Sequence, residues 1–163
     1  MLKQSIIITV LSFFALMSNV SAQPKQGQMA ADIALPTAAG DTIRLSSLRG
    51  KVVLLDFWAS WCGPCRVANR GLVKLYSKFH DKGFEIYSVS FDADKQDWLN
   101  AVKKDKINWL QVNDPDINHS KVALFWEVYS IPTTYLIDRD GRLLAMDLAG
   151  KQLEDALKKL IDK

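Results

Sequence analysis

Phe57-Trp58-Ala59-Ser60-Trp61-Cys62-Gly63-Pro64-Cys65-Arg66 is the stretch on which the fold turns. It follows Val52-Val53-Leu54-Leu55, an apolar run interrupted before Phe57 only by Asp56. A β-branched and aromatic run without polar alternation is the pattern of a strand buried on both faces, as in a parallel sheet covered by helices. Gly63-Pro64 breaks that strand, and Pro64 suits the first turn of a helix. From Cys65 onward, Val67, Leu72, Val73, Leu75, Tyr76 and Phe79 recur at roughly helical spacing, and Gly83 supplies a helix stop. The chain's 2 cysteines thus sit where a strand passes into a helix, one helical turn apart. Sulfurs at that spacing can close and reopen a disulfide.

On the N-terminal side, Ile33-Ala34-Leu35-Pro36 and Thr42-Ile43-Arg44-Leu45 flank a turn at Gly40-Asp41 and predict a β-hairpin. On the C-terminal side, Phe84–Phe91 alternates with period two and reads as a strand. Asp92–Asp105 is helix-like, with Trp98, Leu99, Ala101 and Val102 on its apolar face. Trp109–Val112 is a short strand, Ser120–Val128 a short helix, and Thr134–Ile137 a strand entered through Ile131-Pro132-Thr133. Asp138-Arg139-Asp140-Gly141 is a hairpin turn signal. Arg142–Leu148 is the return strand, and Gln152–Ile161 an amphipathic helix with Leu153, Leu157, Leu160 and Ile161 inward. Strands alternating with helices predict an α/β layer fold.

The 163 residues suffice for one domain with a substantial core, and 48% hydrophobic with 24% charged residues is a soluble globular composition. The net charge of +3 is weak and dispersed, with basic residues interleaved with acids as in Lys103-Lys104-Asp105-Lys106, so no nucleic-acid partner is expected. Residues 1–22 differ. Lys3 precedes the apolar run Ile6–Met17, and small residues Val20 and Ala22 follow, which is the pattern of a signal peptide cleaved after Ala22. The run is short of the roughly 20 apolar residues that span a bilayer, and no cysteine lies near the cleavage site to carry a lipid. The expectation is an exported, periplasmic protein, with residues 23–29 a flexible lead and 30–163 the domain.

In a disulfide-permissive compartment a cysteine pair can be a structural staple. A staple that closes so short a loop constrains little of the unfolded chain, because the gain grows with loop length. A redox reagent is the better reading, and a Cys-x-x-Cys beside a strand–helix unit is the pattern of a thioredoxin-like redox site. Cys62, at the helix N-terminus, faces free backbone N–H groups that favour its thiolate, the attacking species. Cys65, one turn in and less exposed, is expected to resolve the mixed disulfide. A zinc site needs about four ligands. His80 and His119 are the only histidines, and both are read as ordinary surface residues, so neither metal nor cofactor is expected.

Asp56 is the single charge in its apolar run. If buried, it is costly to ionise, so its pKa rises, and it becomes a candidate acceptor for the proton of the resolving thiol. The competing reading is a strand-end carboxylate reaching solvent.

Three blocks resemble the thioredoxin superfamily, and more closely its exported TlpA/ResA-type thiol–disulfide oxidoreductases. They are Asp56–Arg66, Tyr87-Ser88-Val89-Ser90-Phe91-Asp92, and Ile131–Asp138 with Asp140-Gly141; the hairpin from Leu35-Pro36 to Gly50-Lys51 fits the same pattern. The resemblance implies a thioredoxin-like fold: a central mixed sheet flanked by helices, an N-terminal β-hairpin and a helix-containing insertion over Asp92–Asp116. It implies a cis Pro132 opposite the sulfurs, with Ile131 offering backbone hydrogen bonds to a substrate chain, and Trp61, Gly63 and Pro64 on the same contact surface. It implies disulfide-bonded client proteins and a membrane thiol electron donor of the DsbD/CcdA type; a monomer is expected. Two positions depart from the exported relatives. Their Glu three residues after the second cysteine is Ala68 here, and their Pro five residues after it is Arg70.

Gly63-Pro64 is the dipeptide of thioredoxins, whose pair is reducing at about −270 mV, so reduction of protein disulfides leads. The alternatives are a disulfide oxidase or isomerase, a thiol peroxidase and a non-catalytic binding module. Against the peroxidase, Ala59 stands where peroxiredoxins place a Thr. For the module, Trp58, Trp61, Trp109, Phe125, Trp126 and Tyr129 offer aromatic surface, although such residues are more often core.

Overall fold

The computed structural model describes residues 24–161; the leader read in residues 1–22 lies outside them. Five strands form one mixed sheet in the order β5-β4-β3-β6-β7. They are β3 (Val52–Trp58), β4 (Phe84–Ser90), β5 (Leu110–Asn113), β6 (Thr133–Ile137) and β7 (Leu143–Met146). β3, β4 and β5 run parallel; β6 is antiparallel to β3, and β7 to β6. The hairpin is a separate sheet of β1 (Ala34–Pro36) and β2 (Thr42–Arg44). Four helices complete the layers: α1 (Gly63–Phe79), α2 (Lys95–Lys104), α3 (Lys121–Phe125) and α4 (Gly150–Ile161). Among the described residues no helix is long and apolar enough to cross a membrane.

β3 is central because its residues are apolar on both faces, and every one of them is buried. Leu54 and Trp58 face one core, packed with Leu72 and Tyr76 of α1, Trp98 of α2, and Leu153 and Leu157 of α4. Val53, Leu55 and Phe57 face a second core, packed with Ile33 and Leu45 of the hairpin region, Trp126 and Tyr135. In the second core Phe57 stacks on Phe91 at 5.8 Å, and Trp126 tilts against Tyr135 at 5.0 Å, whose hydroxyl donates to the Trp126 carbonyl. Such ring pairs add about 0.5–1.5 kcal/mol each beyond area burial.

The strand read from the period-two alternation of Phe84–Phe91 is β4, and it is buried on both faces. Its polar residues are buried because each has partners. Glu85 accepts from Tyr76 Oη at 3.0 Å and pairs with Lys51, Ser88 donates to Asp56, and Ser90 donates to Asp92. Several boundaries tighten for local reasons. α2 starts at Lys95 because the Asp94 carboxylate accepts from Gln96 N and Asp97 N. α3 starts after Ser120, which caps Ala123 N, and ends where Glu127 takes φ of 52°. α4 begins two residues earlier than its periodicity suggests, at Gly150. At the hairpin turn, Gly141 has φ of 87° and lies under the Arg49 guanidinium, so any side chain there is strained and crowded. The segment expected to be a flexible lead lies beside β7, with Gly27 N donating to Leu143 O and Leu143 N to Gln28 O.

Candidate active site

The register of the sheet sets the site. β3 ends at Trp58, the turn Ala59–Cys62 closes through Cys62 N donating to Ala59 O at 3.2 Å, and α1 begins at Gly63. Cys62 is the N-cap of α1, with extended backbone, and its Sγ accepts from Cys65 N at 3.2 Å. A sulfur thus occupies the place usually taken by a Ser or Asp oxygen, where a helix N-terminus favours negative charge. Cys62 and Cys65 form a disulfide with Cα atoms 5.3 Å apart. Cys62 is 5% exposed and Cys65 1%, so Cys62 is the more accessible, by a narrow margin. Around them Trp61, Gly63 and Pro64 are exposed.

From the neighbouring strand, the Ile131-Pro132 bond is cis, and the Ile131 carbonyl oxygen lies 3.7 Å from Cys62 Sγ. The antiparallel pairing of Phe57 with Thr133 delivers this loop to the sulfurs. Ile131 is half-buried and Pro132 exposed.

Asp56 lies two residues inside β3, between Ser88 of β4 and Thr134 of β6. It is 3% exposed, which excludes the solvent-reaching alternative. Desolvation raises its pKa from 3.8 to about 6, against the opposing hydrogen bond from Ser88 Oγ at 2.8 Å. Ser88 Oγ accepts in turn from Trp109 Nε1 at 2.8 Å, so its own proton is directed at the Asp56 carboxylate. The carboxyl borders a cavity of about 510 Å³ shared with Val67, Ala68, Gly71, Leu72 and Pro132. Small residues at 68 and 71 leave this space open beside α1. A buried carboxyl that titrates near neutrality and faces a cavity can exchange protons without being exposed.

Cys62 and Cys65 lie at the head of α1 with the Ile131 carbonyl opposite Cys62, and Asp56 borders the same cavity as Pro132. Of the aromatic residues, Trp58, Trp109 and Trp126 are core, whereas Trp61 and Tyr129 are exposed and Phe125 is at 37%. His119 is exposed, as expected. His80 is not an ordinary surface residue: its ring packs 4.5 Å from that of Tyr76 and it is half-buried. Sequence reasoning missed Ser88 and Trp109, which orient Asp56, and Asp92, a buried carboxylate accepting from Ser60 N and Oγ. Asp92 follows a strand in which Glu85 is the only other charge, much as Asp56 is the only charge in its run, and that pattern was its available signal.

Known proteins agree with this geometry. Residues 26–146 match the model of the AhpC/TSA family. The thiol-disulfide oxidoreductase ResA of Bacillus thuringiensis subsp. konkukian is 30% identical over 139 residues, 84% of this chain and 77% of the relative. ResA of Bacillus anthracis is 32% identical, over 82% and 78%. Among solved structures, the thioredoxin domain of a thiol-disulfide oxidoreductase from Bacteroides vulgatus superposes with a TM-score of 0.78 at 34% identity, covering 84% of this chain and 98% of that one. A thiol:disulfide interchange protein from Bacteroides sp. gives 0.78 at 33%, over 86% and 92%. With a redox pair capping a helix opposite a cis proline, and relatives of this kind over most of its length, the chain belongs to the AhpC/TSA family as a thioredoxin-like thiol–disulfide oxidoreductase.

Proposed function

We propose that this protein reduces disulfides of exported client proteins by dithiol exchange, with Cys62 as nucleophile, Cys65 as resolving thiol and Asp56 as proton acceptor. The observation that carries the reading is Cys62 at the N-cap of α1, its sulfur 3.7 Å from the Ile131 carbonyl beside cis Pro132. In the reduced pair, the Cys62 thiolate attacks one sulfur of a client disulfide and expels the other as a thiolate. The Cys65 thiol passes its proton toward Asp56 and attacks Cys62 Sγ. The Cys62–Cys65 disulfide forms, and the client leaves with its second sulfur as a thiolate. Two electrons have moved from the pair to the client. Trp61, Gly63 and Pro64 on one side, with Ile131 and Pro132 on the other, bracket the client strand. The pair is then recharged by a thiol donor, for which a membrane relay of the DsbD/CcdA type is the candidate. The pattern of residues 1–22 supports export to the periplasm.

Two measurements test this. In its own compartment the Cys65→Ser protein is expected to accumulate clients disulfide-bonded to Cys62, and the double variant Cys62→Ser/Cys65→Ser to accumulate none. The pair is expected to titrate near the thioredoxin potential of about −270 mV; a value near the about −120 mV of DsbA overturns the reducing direction.

A further inference from the structure

The segment between β4 and β5 reaches back to the redox turn from both of its flanks. At one flank Asp92, 2% exposed, spans Ser60: its carboxylate oxygens lie 3.1 and 2.9 Å from Ser60 N, and one lies 2.5 Å from Ser60 Oγ. Ser90 Oγ donates to the same carboxylate at 2.7 Å. Asn113 Nδ2, from the end of β5, donates to the carbonyls of Asp92 and Ser90 at 3.0 and 3.1 Å and holds the loop in place. At the other flank Asp105, the C-cap of α2, takes the Arg66 guanidinium in a two-point grip, Nε on one oxygen and Nη2 on the other at 2.7 Å. Asn69 Nδ2 donates to it as well, at 2.9 Å. Burial alone pushes the Asp105 carboxyl up, but the hydrogen bonds from Arg66 and Asn69 and the Arg66 charge override it and hold the pKa below 3.8. Arg66 Nη1 then donates to the Ser60 carbonyl at 3.1 Å.

Every polar group of Ser60, its N–H, hydroxyl and carbonyl, is therefore held from this segment, directly or through Arg66. Ser60 is the second residue of the turn Ala59–Cys62 that delivers Cys62 to the N-cap. We infer that Asp92 and Asp105 are positioning residues for Cys62, clamping Ser60, directly and through Arg66, so that the attacking sulfur stays on the free N–H groups of α1. The benefit of a helix N-terminus falls away within one turn. A turn free to shift carries the sulfur off the Cys65 N–H and leaves its thiolate less stabilised. The insertion between β4 and β5 thereby acquires a role in the chemistry. The inference rests on Cys62 being the attacking thiol.

The test uses reduced full-length protein in the Cys65→Ser background, where Cys62 is the single thiol, and reads the alkylation rate by iodoacetamide against pH. Asp92→Ala and Ser60→Ala are expected to move the midpoint upward, with alkylation at pH 7 falling by about tenfold for Asp92→Ala, the change that a midpoint shift of about one pH unit gives. Asp92→Asn, which keeps an acceptor for Ser60 N–H, is expected to recover most of that loss. Three results overturn the clamp: a downward shift in Asp92→Ala, the mark of a bare negative charge removed; a lower melting temperature with an unmoved midpoint; or an unmoved midpoint in Ser60→Ala. If Asp92→Ala does not fold, Ser60→Ala decides, since it removes one hydroxyl and no charge. Alkylation of Cys65 before Cys62 in the reduced parent would instead refute the reading on which the clamp rests.

Discussion

At the scale of a residue, Asp56 carries the sharpest consequence. Its carboxyl is held among Leu54, Leu72 and Pro132 with one hydrogen-bond donor, and its pKa stands at about 6 against 3.8 in the unfolded chain. The folded state therefore binds this proton more tightly than the unfolded state. Its stabilising effect is complete below pH 3.8 and is lost as the pH rises through about 6. The difference corresponds to ~3 kcal/mol at neutral pH and above. Asp56→Asn keeps an acceptor for Ser88 and cannot ionise. The oxidised variant is expected to be more stable than its parent at pH 8 by up to that amount, with the gain vanishing as the pH approaches 3.8, in urea unfolding followed by tryptophan fluorescence. The same variant tests the proton acceptor. The parent's rate of insulin reduction is expected to show an inflection near pH 6 that Asp56→Asn lacks. An unchanged pH profile would remove Asp56 from the chemistry, whatever the stability data show.

At the scale of an element, α1 does two jobs: its N-terminus serves the sulfurs and its length packs the core. Gly71 stands in its interior, exposed, with open space where a Cβ would lie and no left-handed backbone to require glycine. Gly71→Ala is expected to stabilise the protein by about 0.4–1 kcal/mol through the lower entropy of the unfolded chain, read as a rise in melting temperature of roughly 2–4 °C. A fall would mean that the space beside Ala68 and Gly71 has to stay open. Elements also mark how far sequence reading reached. β3 and α1 were legible because a continuous apolar run and a Gly-Pro break are local signals, and the site at their junction followed from cysteine spacing. The polar clusters were not, because Ser88, Trp109, Asp92 and Arg66 acquire meaning only through partners 21 to 39 positions away. Period-two alternation located β4 but did not reveal that its serines are buried, because that depends on their acceptors Asp56 and Asp92. His80 was taken as surface because its contact, the Tyr76 ring, depends on how α1 ends.

At the scale of the whole molecule, redox direction is a question about stability. A dithiol pair is a good reductant when its disulfide stabilises the fold relative to the unfolded chain, and an oxidant when the reduced form is the more stable, as for DsbA. A strong oxidant needs positive charge to hold the thiolate. Here α1 carries no acidic residue in its first turn, so its N-terminus is free to favour an anion. But the guanidinium of Arg66, the residue after Cys65, is neutralised by Asp105. Cys65 lies in the core with Leu72 and Trp98, where a disulfide sulfur is at ease and a thiolate is not. These features favour the oxidised fold. The oxidised protein is therefore expected to unfold at higher urea than the reduced one at pH 7. The gap in unfolding free energy equals the difference in potential between folded and unfolded pairs at ~1.4 kcal/mol for each 30 mV. A reduced protein more stable than the oxidised one would place this molecule among the oxidants, whatever its Gly63-Pro64 dipeptide suggests.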